Sequence, residues 1–386
     1  MKNILEDIEP ALRPPGGGIP SFSAGAGGAL SVQRRHYALF GARADADMAE
    51  LEALWRKQLQ RFSQGKLSPK VILLGVPLDT GAGIRRGAAH GPRGVREALL
   101  ESGTYRDWVR SGVVLDLGDV FVNPHLLHDS MLSAKQISRC QAEMFASVSA
   151  ASRKKMPVSA LSLTRYVLEL LQKRAPSARL FVIGGDHSVA WPVSEILAKK
   201  YPGKLGIVQP DAHTDLLKSR HGVEYCYTTW TYHANELLKK GTPKGQAKEG
   251  RLVQLGIRQT LKDKKHWEST TGVKQYWAHE INARPAHQVL AEICAHFKKL
   301  GVKQIYFSND IDGTDESEAP ATGTPAAHGL SSAFVLQAIE VLGQEFDLVA
   351  ADVMEVAPVL GSPEDCRKTT ELAAQYTLAC LKQQIR

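Results

Sequence analysis

The most constraining feature of the sequence is an apolar run that leads directly into a charged cluster. Residues 205–210 are followed at once by Asp211-Ala212-His213-Thr214-Asp215. If the chain stays extended, alternate side chains share a face, so Asp211, His213 and Asp215 project together. Burying such groups without a partner is costly because they lose their hydration. A divalent metal ion removes that cost, whereas a polar strand end with a helix cap and a surface histidine is the alternative interpretation.

Two other apolar runs end in the same way. Residues 180–183 run into Gly184-Gly185-Asp186-His187, where two glycines let the backbone turn sharply and raise His187 to the edge of a sheet. Residues 304–310 end in Asp310, and the same alternation places Asp312 beside it. The three strand ends together offer six metal ligands: His187, Asp211, His213, Asp215, Asp310 and Asp312. Six ligands exceed the needs of one catalytic zinc and suit two metal ions that share carboxylates.

The order of apolar runs and helical patterns predicts an α/β protein. Strands are expected at 71–77, 113–119, 180–183, 205–210, 251–257, 304–310 and 346–353. Helices are expected at 45–62, 94–100, 134–149, 159–173, 285–300 and 369–382. Strands that alternate with helices indicate a parallel sheet covered on both faces, with its chemistry at the carboxyl ends of the strands.

The N-terminal part differs in composition from the rest. Residues 1–33 are rich in proline and glycine, which favours turns and extended chain over helix. We therefore predict an N-terminal extension over residues 1–66, partly irregular with one helix, and a catalytic domain over residues 67–386. The glycine-rich loop at 80–93 lacks the spacing of a phosphate-binding loop, so it is predicted to line an active site or a subunit contact.

Composition excludes several classes of protein. The net charge of +8 comes from scattered Lys and Arg with no long basic block, so no nucleic-acid partner is predicted. The five cysteines are widely spaced without a Cys-x-x-Cys pair, which argues against a disulfide framework and fits a reducing compartment. No apolar run is long enough to span a bilayer and residues 1–18 have no signal-like core, so we expect a cytoplasmic protein without a membrane partner.

Three blocks of the sequence resemble the signature blocks of the ureohydrolase family of arginase and agmatinase. They are Gly184-Gly185-Asp186-His187-Ser188, Asp211-Ala212-His213-Thr214-Asp215 and Ser308-Asn309-Asp310-Ile311-Asp312-Gly313-Thr314-Asp315. The likeness extends from about residue 70 to the C-terminus. It implies a three-layer α/β/α fold with a mainly parallel sheet of about eight strands, assembled as a trimer or hexamer. It also implies two divalent metal ions, Mn²⁺ or Ni²⁺, and all six ligand positions are filled here, as in an active enzyme.

The chemistry of the family assigns further roles. Two metal ions are needed to activate water, because a guanidinium carbon is a poor electrophile and water a poor nucleophile. Asp215 is then the expected proton acceptor, and Glu355 resembles the family glutamate that pairs with the guanidinium group. The loop after Asp215 departs from the patterns of arginase and agmatinase, so His221 and His233 both remain candidates for the proton shuttle.

The same loop is rich in aromatic residues. Tyr225, Tyr227, Trp230 and Tyr232 either pack in the core or hold a small delocalised cation against their faces, with Tyr227 and Trp230 as the substrate contacts. With its long N-terminal arm, the chain resembles the guanidine hydrolase branch, which includes relatives that act on metformin. The prediction is hydrolysis of free guanidine or a biguanide such as metformin, releasing urea or guanylurea plus ammonia or an amine.

Other functions are weighed against this prediction. The main alternative is an agmatinase or guanidinobutyrase, and a negatively charged substrate tail would call for an arginine such as Arg85, Arg86 or Arg220. A single-zinc deacetylase would not need His187 and Asp312, and a non-enzymatic scaffold would not need the six ligands. The expected partners are a small cationic substrate, identical subunits or a related second subunit, and a metallochaperone that loads the site.

Overall fold

The computed structural model describes residues 4–19, 26–82, 85–245 and 249–386. Part of the predicted N-terminal arm and of the glycine-rich loop, namely residues 20–25 and 83–84, lies outside the described residues. None of the described helices is both long and apolar enough to cross a membrane.

The centre of the molecule is a nine-stranded sheet in the order β1-β3-β2-β4-β9-β8-β5-β6-β7. All neighbouring strands are parallel except β1, which pairs antiparallel with β3. The strands are β1 (Leu12–Arg13), β2 (Val71–Gly75), β3 (Val114–Val120), β4 (Arg179–Ile183), β5 (Leu205–Pro210), β6 (Leu252–Ile257), β7 (Lys274–Trp277), β8 (Gln304–Asp310) and β9 (Asp347–Met354).

Helices cover both faces of this sheet, as predicted. They are α1 (Leu5–Ile8), α2 (Ala26–Ala38), α3 (Met48–Ser63), α4 (Gly91–Leu99), α5 (Gly103–Arg110), α6 (Ala134–Met144), α7 (Ala150–Arg153), α8 (Ala160–Arg174), α9 (Ala190–Lys200), α10 (Trp230–Gly241), α11 (Lys264–Thr271), α12 (Ala278–Asn282), α13 (Ala286–Lys299), α14 (Ser332–Glu345) and α15 (Pro363–Ile385). Side chains of β2 alternate between two hydrophobic clusters, Ile72 and Leu74 in one, Val71 and Leu73 in the other. This alternation defines the three-layer α/β/α fold.

The N-terminal segment is more ordered than its composition suggests. Residues 26–38 form helix α2 although 1–33 were expected to be turns and extended chain, because Val32 and Tyr37 are buried in the two hydrophobic clusters. Tertiary packing here outweighs the low helix propensity of glycine. The indole of Trp55 in α3 donates to the carbonyl of Leu117 in β3 at 3.0 Å. The division at residue 66 stays a prediction, with residues on both sides of it in the same hydrophobic cluster.

The seven predicted strands are all present, with ends shifted by two residues or fewer. Strands β1 and β7 were not predicted, because β1 has only two residues and two of the four residues of β7 are polar. The predicted helix 134–149 ends earlier, at Met144. The last helix begins earlier, at Pro363, where Ser362 forms a capping box with Asp365.

Four neighbouring strands carry the candidate site at their carboxyl ends. In the order of the sheet these are β4, β9, β8 and β5. Because they are parallel, the loops that follow them meet above one edge of the sheet. The fold therefore brings together the chain segments around residues 187, 355, 310 and 211.

Candidate metal centre

The first part of the centre is the turn after β4. Asp186 caps a short 3-10 helix, His187–Val189, by accepting a hydrogen bond from the amide of Ser188 at 3.0 Å. A Cβ atom at Gly185 would lie 1.7 Å from the carbonyl oxygen of Leu78, so only glycine fits there. The glycine pair thus lets the chain pass the neighbouring loop and places the buried ring of His187 over the sheet edge.

The second part follows β5 and differs from the predicted geometry. The strand ends at Pro210, and Asp215 has a left-handed backbone with φ of 50°. The amide of His213 donates to Oδ1 of Asp211 at 2.6 Å, which closes a turn. The three ligands converge because the loop is folded by these contacts, and not because an extended strand alternates its side chains.

The third part follows β8, where the alternation argument was also wrong. Asp310 is the last strand residue and caps the 3-10 helix Ile311–Gly313, accepting from the amide of Asp312 at 2.9 Å. A Cβ atom at Gly313 would lie 2.6 Å from the amide nitrogen of Asp211. The missing side chain lets this helix approach the β5 loop, where the amide of Ala212 donates to Oδ1 of Asp312 at 3.1 Å.

The ligand atoms form two groups that share one residue. One group is His187, Asp211 and Asp215, the other is Asp211, His213 and Asp312, and within each group the ligand atoms lie within 4.8 Å of one another. Nδ1 of His187 also lies 3.0 Å from Oδ2 of Asp310. All six residues that the sequence predicted as ligands therefore meet in one cluster, with Asp211 between the two halves.

The charges of this cluster fit divalent cations. Burial and neighbouring carboxylates raise the pKa of Asp215 and Asp310 well above the usual range. Burial lowers the pKa of His187, but its contacts with Asp211 and Asp310 outweigh that effect and raise it overall; the pKa of His213 is raised to about 12 in the same way. A divalent cation bound among these carboxylates and neutral imidazoles would offset the buried charge that causes these shifts.

Hydrogen bonds from outside the cluster orient its ligands. Oγ of Ser308 donates to the carboxylate of Asp352 at 3.1 Å and lies 3.0 Å from Nε2 of His187. Further donors to the ligands are Gln209 Nε2 to Asp211 Oδ2 at 2.7 Å, Trp230 Nε1 to Asp215 Oδ2 at 3.1 Å, and Thr324 Oγ1 to Asp312 Oδ2 at 2.9 Å. Such contacts fix the orientation of metal ligands.

Glu355 follows β9 and reaches the same edge. Its amide donates to the carbonyl of Gly185 at 2.8 Å, and its Oε1 accepts from the amide of His187 at 2.9 Å. The backbone of Glu355 is left-handed, with φ of 61°. Desolvation and the charge of Asp310 raise its pKa well above the usual range. A carboxylate is thus held beside the cluster while one of its oxygens is already hydrogen-bonded.

The two shuttle candidates lie in different surroundings. His221 is exposed at a left-handed position with φ of 49°, where it lines a cavity. Nε2 of His233 lies 3.1 Å from the carbonyl oxygen of Lys218 and 3.0 Å from that of Glu224. Because both partners are acceptors, this nitrogen carries a proton and donates it to the backbone. The contacts of His233 thus favour a structural role, while the shuttle remains a prediction.

The predicted aromatic pocket is largely engaged in packing. Trp230 is fully buried, with its ring centroid 4.6 Å from that of His187. Tyr225 stacks on Trp191 with ring centroids 5.1 Å apart. The guanidinium of Arg220 lies 5.3 Å from the ring centroid of Tyr227, so one of this chain's own cations already occupies that aromatic face. These contacts match the packing interpretation of the aromatic segment.

A cavity of about 490 Å³ lies beside the ligand-bearing loops. Its wall includes Gly81, whose amide donates to Oδ2 of Asp186 at 2.8 Å, and Tyr227, whose amide donates to the carbonyl of Gly81 at 3.3 Å. Burial raises the pKa of Tyr227, the charge of Arg220 opposes this, and the charges of Asp215 and Glu355 add to it, so Tyr227 lies within electrostatic range of both carboxylates. The cavity thus adjoins the turn that carries His187, although none of the six predicted ligands is on its wall, and it is a candidate substrate site.

Sequence reasoning missed the residues that orient the ligands. Ser308 begins the third block quoted above and Asp352 lies in strand β9, yet no spacing rule relates either residue to His187. Gln209 precedes Asp211 by two residues on β5, and its side chain is buried, which is a weak sign of a role in orienting a ligand. Thr324 is distant in sequence from the residue it contacts, so only the folded structure identifies it.

Comparisons with known proteins agree with this geometry. A family model described as the arginase family matches residues 69–382. The human mitochondrial guanidino acid hydrolase is 30% identical over 314 residues, covering 79% of this chain and 75% of the relative. The guanidinobutyrase of Pseudomonas aeruginosa is 28% identical over 323 residues, covering 80% and 85%. Among solved structures, proclavaminate amidino hydrolase from Streptomyces clavuligerus has a TM-score of 0.63 and 26% identity, covering 83% of this chain and 92% of that one.

Proposed function

The chain belongs to the arginase family, and on that premise we propose that it is a dinuclear-metal hydrolase that cleaves a C–N bond of a guanidine-type substrate. The observation that carries this proposal is the position of Asp211 in both ligand groups. A carboxylate shared in this way suits two metal ions that act together. The arrangement of ligands does not suit the single-zinc deacetylase considered from the sequence.

The balance of charge supports a cationic substrate. The four aspartates of the cluster match the charge of two divalent ions, and the carboxylate of Glu355 is then left over. A guanidinium group would neutralise it and offer it paired N–H donors. We propose that Glu355 binds the guanidinium group and holds its central carbon over the cluster.

The remaining roles concern water and protons. Two divalent ions, Mn²⁺ or Ni²⁺, would supply activation of water at neutral pH. Asp215 is the proposed proton acceptor, and the indole of Trp230 holds its Oδ2 in place at 3.1 Å. His221, which lines the cavity, is the proposed shuttle to the leaving amine.

Two substrate classes remain under this proposal. The first is the sequence-based prediction, free guanidine or a biguanide such as metformin. The second is a longer guanidino compound such as agmatine or guanidinobutyrate. The volume of the adjoining cavity, about 490 Å³, and the packing of Tyr225 and Trp230 favour the longer class. The names of the relatives, guanidino acid hydrolase and guanidinobutyrase, point the same way.

The oligomeric state, the loading of the metal ions and the cellular location of the protein are proposed from fewer observations. The family resemblance supports a trimer or hexamer of identical chains, with a related second subunit as the alternative. Loading of the metal ions by a metallochaperone stays a prediction from the sequence. The scattered cysteines support a cytoplasmic location.

A substrate panel tests the proposed function. Protein freed of metal by chelation is reconstituted separately with Mn²⁺ and Ni²⁺ and offered guanidine, metformin, agmatine, 4-guanidinobutyrate and arginine. Release of urea or guanylurea together with the amine supports the proposal and identifies the substrate class. No turnover of any of the five with either metal would overturn it.

A further inference from the structure

Arg220 is an exposed residue on the wall of the cavity that adjoins, through Gly81, the turn that carries His187. Among the described residues, no carboxylate lies within ion-pair distance of its guanidinium group. One of its N–H groups donates to the hydroxyl of Tyr227 at 2.5 Å. Since a guanidinium has five N–H donors, most of them remain available to a ligand in the cavity.

The backbone holds Arg220 in a fixed position. Arg220 and Val223 exchange two hydrogen bonds, each of 2.9 Å. The two residues between them are left-handed, with φ of 49° at His221 and 84° at Gly222. This is a two-residue turn of the type that joins tight hairpins, and it restricts the directions in which the side chain can point.

The side chain is oriented as well. The guanidinium lies over the ring of Tyr227 and bonds to its hydroxyl, so rotation about the side-chain bonds is limited. Tyr227 in turn contacts Gly81 of the loop that binds Asp186. Arg220 is therefore connected through three successive hydrogen bonds to the turn that carries His187.

The rest of the cavity wall is suited to an alkyl chain. Apolar side chains supply much of it: Leu126, Leu127, Met131, Leu132 and Val223. A substrate that fits both parts has a guanidinium at the metal cluster, a short alkyl chain along this wall, and an anion at Arg220. A substrate with an ammonium group at that end would meet a fixed positive charge instead.

We propose that Arg220 is a specificity-determining residue that binds the carboxylate of a guanidino acid and disfavours amines such as agmatine. This inference rests on the proposed function, since it assigns the substrate class of the same site. A planar guanidinium is the side chain best matched to two carboxylate oxygens.

The test compares three substrates that differ only at the tail: 4-guanidinobutyrate, agmatine, and N-butylguanidine, whose tail is uncharged. For each protein, kcat/KM of the two charged substrates is divided by that of N-butylguanidine. The ratio cancels the fraction of active enzyme, so partial misfolding of a variant does not obscure the result. Arg220→Ala, Arg220→Gln and Arg220→Lys are measured, the glutamine keeping a donor for Tyr227 without the charge.

We expect the wild-type ratio to favour guanidinobutyrate. In Arg220→Ala and Arg220→Gln the ratio for guanidinobutyrate should fall at least tenfold, because KM for guanidinobutyrate rises. The ratio for agmatine should rise in the same two variants. Arg220→Lys should keep part of the preference for guanidinobutyrate. Lys218→Ala, a charge removed from the same exposed loop but not from the cavity wall, should leave both ratios unchanged. Raised salt should weaken the wild-type preference.

Two results would overturn the inference. One is equal ratios in wild type and Arg220→Ala. The other is that Arg85→Ala loses the preference for guanidinobutyrate while Arg220→Ala keeps it. Arg85 is the alternative candidate because it lies beside Gly323, which is close to Glu355. If the wild type hydrolyses none of the three substrates, the proposed function itself is overturned. Failure of the inference and failure of the proposed function are therefore distinguishable.

Discussion

Oγ of Ser308 lies 3.0 Å from Nε2 of His187. The other ring nitrogen of His187, Nδ1, faces the aspartates. The only proton of this hydroxyl is donated to Asp352. Oγ therefore accepts from Nε2–H, which leaves Nδ1 free to bind a metal ion in the neutral ring. The serine thus selects the tautomer that metal binding requires.

Ser308→Ala should weaken metal binding without removing a ligand. Loss of a residue that orients a ligand typically costs about 10- to 100-fold in metal affinity. Competition with a chelator of known affinity measures this loss. Ser194→Ala is the matched control, because Ser194 is equally buried and its hydroxyl bonds only to the carbonyl of Ala190 in its own helix. Equal metal affinity in the two variants would contradict the proposed role of Ser308.

Trp230→Phe should lower kcat more than it raises KM. The indole donates to Asp215 and is fully buried, so its loss leaves the carboxylate without that donor. A hydrogen bond to a carboxylate is worth about 1.5 to 3 kcal/mol, which corresponds to a fall in kcat of up to about 10- to 150-fold. Steady-state kinetics at saturating metal give both constants, with Trp191→Phe as the aromatic control. A rise in KM alone would instead support the predicted substrate contact.

Glu355→Gln should reduce kcat/KM by about 10- to 150-fold. The amide oxygen still accepts from the amide of His187, so the loop is retained, but the charge that faces the guanidinium is lost. The range follows from about 1.5 to 3 kcal/mol for a hydrogen bond to a charged group. Glu364→Gln, an exposed change in the first turn of α15, is the control. Kinetics like those of wild type in Glu355→Gln would argue against its role in guanidinium binding.

His36→Gln should make the stability of the protein less dependent on pH in the acid range. Burial lowers the pKa of His36 below its ordinary 6.5, more than Asp116 raises it. The folded state therefore keeps this ring neutral while the unfolded chain binds a proton, so stability is full above about pH 6.5 and is lost as pH falls through the folded pKa. The loss reaches about 1.4 kcal/mol per pH unit.

Thermal unfolding at several values of pH between 5 and 8 measures this effect as the difference between wild type and variant. The difference isolates His36, because all other titrating groups are common to both proteins. As pH drops below 6.5, the Tm of the wild type should fall more than that of the variant. Parallel pH profiles would show that the pKa of His36 is the same in the folded and unfolded states.

Much of this fold follows from pattern alone, and the remainder depends on tertiary contacts. Apolar runs of four to eight residues identified seven of the strands, and the parallel arrangement placed His187 and Asp211 at one edge. Strand β1 is too short for a pattern and β7 is half polar, and α2 forms because Val32 and Tyr37 find buried positions.

The six ligand residues named from the sequence lie together in the fold, but the geometry that brings them together was not predicted. Alternation along a strand correctly grouped Asp310 with Asp312 for the wrong reason, because a 3-10 helix and not a strand brings them together. Contacts such as that between Thr324 and Asp312 join segments whose proximity no local pattern encodes. The orientation of Arg220 likewise depends on a turn that only the folded loop reveals.

The most direct test of the proposed dinuclear centre is the number of metal ions that each chain binds. Metal-free protein is titrated with Mn²⁺ alone, desalted, and measured by plasma mass spectrometry together with protein concentration. Two ions per chain are expected for wild type and one for Asp312→Asn. Asp211→Asn should bind neither ion tightly, because Asp211 belongs to both ligand groups. Saturation of wild type at one ion or none, or identical titrations of the two variants, would contradict the dinuclear centre.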